Sequence, residues 1–99
     1  MTIRHVVSWK LATTDGTERA EQAAEIKRGL ESLPPVIPQL RSLEVGVSAV
    51  PGDDFDVVLI SDFDDLDGLR AYVEHPAHVE VAAYIRSVVG ARAAVDFEV

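Results

Sequence analysis

Four consecutive apolar residues, Val57-Val58-Leu59-Ile60, lie within a stretch running from Phe55 to Phe63. Pro51-Gly52-Asp53-Asp54 supplies a turn just before it. Successive side chains of a strand point to opposite faces, so an unbroken apolar run belongs to a central strand covered on both sides. A fold that accommodates this chain must therefore offer cover on two faces of a sheet. With 99 residues there is one domain, spanning 1–99, with which to do so. A domain of that size buries roughly 60–65% of its unfolded surface, which leaves a thin core that association would support.

The segments before the run supply the rest of a layered domain. Ile3, His5, Val7, Trp9 and Leu11 fall on one face of a strand by the period of two, with Arg4, Val6, Ser8 and Lys10 on the other. Thr17 is the expected N-cap of a helix over Glu18–Leu33, with Glu18 and Glu21 in the first turn. Its stripe is Ala23, Ile26, Leu30 and Leu33, and Pro34-Pro35 stops it. A second strand follows over Leu43–Val50, with Gly46 as a bulge position.

Beyond the central strand, the acid-rich Asp62–Asp67 segment caps a helix predicted over Leu66–Glu74. Pro76 breaks it, because the residue before a proline avoids helical backbone. A third helix over Pro76–Val89 carries His78, Ala82, Ile85 and Val89 inward, and Gly90 ends it. Ala91–Val99 alternates as the last strand. The order is β-α-β-β-α-β, an α+β, ferredoxin-like pattern. Right-handed crossovers give one four-stranded antiparallel sheet in the order 4-1-3-2, helices on one face. Val6, Val58, Ile60 and either Val45 or Val47 then make both faces apolar. An apolar face without helices marks an interaction surface, and a homodimer packed sheet to sheet is the expected partner arrangement.

The net charge of −8, with basic residues scattered, argues against a nucleic-acid binder. The absence of cysteine excludes a disulfide scaffold and thiolate metal sites. No apolar run approaches the ~20 residues of a membrane helix, and the first residues lack a signal-peptide layout, so a cytoplasmic protein is expected.

Chemistry concentrates in Tyr72-Val73-Glu74-His75-Pro76-Ala77-His78-Val79, which places a tyrosine and two histidines around the X-Pro break. His5 and Asp96 fall on adjacent strands, where a hydrogen bond can either fix an imidazole tautomer in a pocket or satisfy two buried polar groups. Trp9, on the face of His5, is either core or pocket wall. His75 and His78 are three apart, but His75 precedes proline and its ring diverges; with no third ligand near, no metal is expected. The aspartates of 53–67 lack calcium-loop spacing and read as a solvated turn and caps.

Ile3-Arg4-His5-Val6-Val7, Leu43-Glu44-Val45-Gly46, His75-Pro76-Ala77-His78 and Val95-Asp96-Phe97-Glu98-Val99, in this order and spacing, resemble the stress-responsive dimeric α/β-barrel (Dabb) family. The resemblance covers essentially the whole chain and implies a ferredoxin-like subunit whose dimer joins two sheets into a barrel. It also implies Tyr72 and His78 as a catalytic pair, at the spacing of a plant polyketide cyclase of that family. His5 and Asp96 correspond to further polar residues of its pocket. Val57 departs from that pattern, standing where the cyclase has another histidine, and Glu25–Lys27 has no counterpart to its aromatic lining.

In the cyclase-like reading, His78 removes a proton beside a carbonyl and Tyr72 hydrogen-bonds the oxygen as charge develops. Otherwise His78 braces the helix break and Tyr72 is core. Three functions follow: a cofactor-independent cyclase- or lyase-like enzyme acting on a small carbonyl-rich molecule, a non-catalytic ligand-binding or stress-related dimer, and a monooxygenase-type barrel. His5, Trp9 and Asp96 would contact the ligand in the first two. No cofactor motif is present to support the third, and fold alone does not license it.

Overall fold

Strand β1 (Ile3–Leu11) buries Ile3, His5, Val7, Trp9 and Leu11 on one side, as its alternation dictates. The computed structural model describes residues 1–99. After β1 come α1 (Gly16–Glu31), β2 (Ser42–Val47), β3 (Val57–Phe63), α2 (Leu66–Glu74), α3 (Pro76–Val88) and β4 (Val89–Glu98). The strands form one antiparallel sheet in the order β2-β3-β1-β4, which is the order the topology required. The register sets His5 between Ser61 and Asp96, Val7 between Leu59 and Ala94, and Trp9 between Val57 and Arg92.

The core lies between this face and the helices. Ala23, Ile26 and Leu30 from α1 meet Val7, Trp9, Val45, Val57 and Leu59 from the sheet, with Tyr72 and Ile85 contributed by the other two helices. Leu33 joins them from beyond the end of α1, because the backbone at Leu33, preceding Pro34, turns out of the helix.

Several boundaries differ from expectation for local reasons. Asp15, not Thr17, caps α1: its carboxylate accepts the Glu18 N–H at 2.9 Å, and the helix starts at Gly16. Strand β2 ends at Val47, where the Ser48 hydroxyl is drawn to Asp53 at 2.6 Å. Gly46 is no bulge; it pairs with Val58 in unbroken register, and a Cβ there would come within 3.2 Å of Val58 Cγ1. The irregularity falls at Lys10/Leu11 against β4. Gly90 does not end α3. The Val89 N–H closes the helix on the Ile85 carbonyl, and the chain enters β4 directly, with Gly90 passing close to Ala12.

The opposite face of the sheet carries Val6, Val58, Ile60, Val95 and Phe97, and no helix covers it. Neither Val45 nor Val47 contributes to it. Both lie on the helix side, opposite Leu59 and Val57, because residues two apart in a strand share a face. Val95 and Phe97 are 63% and 44% exposed, large values for such residues. Arg4 and Asp62 cross this face as a two-point ion pair at 2.9 and 3.0 Å.

Candidate functional site

The corner between α2 and α3 builds the site. Asp65 caps α2 by accepting the Gly68 N–H at 2.7 Å, and one turn of helix later Tyr72 enters the core, fully buried. His75 precedes Pro76 and is extended, with φ −63° and ψ 134°. Its Nδ1 accepts the Ala77 N–H at 3.0 Å, so His75 is the N-cap of α3, with proline in the first turn. The chain is thereby re-aimed, and His78 reaches back across the break to the Val73 carbonyl, its Nδ1 at 3.0 Å. A carbonyl oxygen only accepts, so Nδ1 carries the hydrogen and Nε2 keeps its lone pair. Bracing the corner and presenting a base are thus one arrangement.

His5 is held the same way from the sheet. Its Nδ1 bonds the Asp96 carboxylate across the β1–β4 pair, leaving Nε2 as an acceptor. Between the two imidazoles lies Tyr72, whose ring centroid is 4.5 Å from that of His78 and 6.3 Å from that of His5; Phe63 supports it at 5.0 Å. The Tyr72 hydroxyl is enclosed and has no hydrogen-bond partner. Burial pushes its pKa up to about 12, so it stays a proton donor well beyond neutral pH. Burial also pulls the His78 pKa below its ordinary value, against the opposing bond to Val73, and the nearby Arg86 guanidinium pushes it the same way. His78 is therefore a neutral imidazole near pH 7.

A cavity of about 260 Å³ opens beside this cluster, between the sheet and α3. His5, Trp9 and His78 line it together with Val7, Leu59 and Ile85. Tyr72 does not: it stands behind the wall, against both imidazoles. Asp96 is likewise behind His5 rather than on the wall. Two residues that the sequence did not single out, Arg86 and Arg92, also line it. Signals for both existed. Arg86 continues the His78, Ala82 stripe by four, and Arg92 shares a strand face with Asp96, opposite Trp9. No three His, Cys, Asp or Glu side chains group closely enough to hold a metal ion. The arrangement can accept a proton at His78 Nε2 from a molecule in the cavity, and it offers an apolar wall for that molecule's body.

These features define a ferredoxin-like α+β subunit with a pocket between its layers. The family model for the stress-responsive A/B barrel domain (Dabb) matches residues 3–99, and the chain belongs to that family. Among solved structures, it is similar to a dimeric ferredoxin-like protein of unknown function from Bacteroides fragilis, at 32% identity and a TM-score of 0.92, over 99% of this chain and 96% of that one. A dimeric ferredoxin-like protein of unknown function from Thermobifida fusca matches at 32% identity and a TM-score of 0.82, over 100% of this chain and 92% of that one. The hydroxynitrile lyase of Passiflora edulis shares the fold at 15% identity and a TM-score of 0.77, over 97% and 91% of the two chains. No curated protein matches the chain in sequence.

Proposed function

We propose that the protein is a homodimer whose cavity takes a small carbonyl-rich metabolite and promotes cofactor-free proton transfer on it. His78 acts as general base through Nε2, and Tyr72 is the oxyanion partner. The observation that carries this reading is the His78 imidazole: neutral, tautomerically fixed by Val73, and on the wall of the cavity. The Tyr72 hydroxyl is a donor without an acceptor beside it, and a ligand oxygen is the acceptor it lacks. Since that hydroxyl is enclosed, the ring stack has to part for the oxygen to reach it. His5 and Trp9 contact the ligand, and Asp96 holds His5 in its tautomer.

Dimerisation through the helix-free face is part of the proposal. Val6, Val58, Ile60, Val95 and Phe97 form an apolar surface there, and the similar proteins of B. fragilis and T. fusca are described as dimeric. No helix of the chain is long and apolar enough to cross a membrane.

Turnover of a poly-β-keto substrate tests the catalytic part. His78→Ala and Tyr72→Phe should each abolish it while the dimer persists; parent-like rates in both variants would remove the catalytic roles. The enclosure of Tyr72 favours one second reading, a binding protein without turnover. In that case ligands raise the melting temperature of the parent, His78→Ala weakens the effect, and no product forms.

A further inference from the structure

The geometry points to Arg86 and Arg92 as the anion-binding end of the cavity, so that its ligand is a small organic carboxylate with an apolar body. This rests on the reading of the cavity as a ligand site and names the chemical class that the site selects.

Carboxylates outnumber cationic side chains in this protein, whose net charge is −8. Accordingly Arg4, Arg19, Arg28, Arg41 and Arg70 each lie within ion-pair distance of a carboxylate: Asp62, Asp56, Glu25, Asp64 and Asp67 in turn. Arg86 and Arg92 are the arginines without one, and both line the same cavity. They come from different elements. Arg86 is delivered by α3, two turns beyond His78, and Arg92 by β4, opposite Trp9. No carboxylate lines the cavity, and the nearest one by strand position, Asp96, is bound to His5.

The rest of the wall complements a carboxylate with a hydrocarbon or aryl body. Both arginines are exposed and mark the solvent side, while Val7, Trp9, Leu59 and Ile85 are buried and apolar. Guanidinium groups present planar donors matched to a carboxylate, and such charge-assisted bonds are the strong ones. A neutral ligand of the same shape gains only the apolar contact. The volume, on the order of nine waters at ~30 Å³ each, suits an acid of benzoate or octanoate size.

Calorimetric titration of the whole protein with octanoate, benzoate, their neutral amides and acetate tests this. Expected is binding of octanoate and benzoate at least tenfold tighter than octanamide and benzamide, with acetate weaker than either acid. Arg86→Gln and Arg92→Gln should each weaken the two acids by about tenfold to a hundredfold, the loss of one charge-assisted bond, and leave the amides unchanged. Circular dichroism should show both variants folded. Acids and amides binding alike, or acid binding unaffected in both variants, would overturn the assignment while leaving the cavity as a ligand site. Acetate binding as tightly as octanoate would overturn it too, by showing a bare-anion site. Binding of none of these probes would remove the ligand-site reading and this assignment together.

Discussion

At position 78 one imidazole both ties the proline-broken corner together and keeps a free nitrogen on the cavity wall. Its depressed pKa has a consequence for stability. The unfolded chain binds a proton at His78 more readily than the folded one, so the penalty is absent above about pH 6.5 and grows as pH falls below it. Denaturant titrations between pH 7 and 5 should show stability declining, and His78→Gln should flatten the slope. Tyr72 behaves oppositely. Its pKa is raised to about 12, so its contribution is full below pH 10 and is lost as pH climbs from 10 towards 12. Tyr72→Phe removes an enclosed, unpartnered hydroxyl, and we expect it to gain about 1 kcal/mol, a rise of ~4–8 °C in melting temperature. A loss of stability would show that the hydroxyl has a partner. The proximity of Tyr72 to His78, and of His5 to Asp96, was legible in the sequence because the proline break and the strand order each fix one pair. That Tyr72 stands behind the wall was not, since spacing along a helix does not tell depth. Arg86 and Arg92 escaped notice because charged residues on a helix stripe or a strand face are ordinarily solvated ones.

Among the elements, caps decided the boundaries more than hydrophobic periods did. Asp15 and Thr17 both suit an N-cap, and aspartate holds the position because its carboxylate meets the Glu18 N–H. Asp15→Ala should cost about 1 kcal/mol, while Thr17→Ala, inside the first turn and without a capping role, should leave stability unchanged or raise it by a few tenths of a kcal/mol, as thermal melts of both will show. Equal losses would place the cap elsewhere. The periods themselves read true: Ala23, Ile26, Leu30 and Leu33 are all buried. Glycines read poorly. Gly46 and Gly90 carry signals for a bulge and a helix stop, but Gly46 serves a close approach to Val58 that only tertiary structure reveals, and at Gly90 a side chain would meet Ala12 at ordinary contact distance.

For the molecule as a whole, the unbroken apolar run at Val57–Ile60 demanded two covered faces, and the subunit covers one. That requirement, with the order of elements, made the ferredoxin-like layering readable. Which valines served which face was settled by register, and Val45 and Val47 went to the helix side. If the second face is covered by another copy, stability depends on protein concentration. Val95→Asp and Phe97→Asp should then produce monomers in sedimentation experiments with lower melting temperatures. A parent protein that sediments as a monomer at micromolar concentration would contradict the dimer.

Proton transfer in the cavity depends above all on the state of His78. Long-range nitrogen–proton correlation spectra of the histidine rings, followed through a pH titration, read that state directly. We predict a His78 ring protonated at Nδ1 and neutral at pH 7, with a midpoint below 6.5 and an Nε2 signal that shifts when a cavity ligand binds. A ring carrying its hydrogen on Nε2, or titrating at or above 6.5, would contradict it.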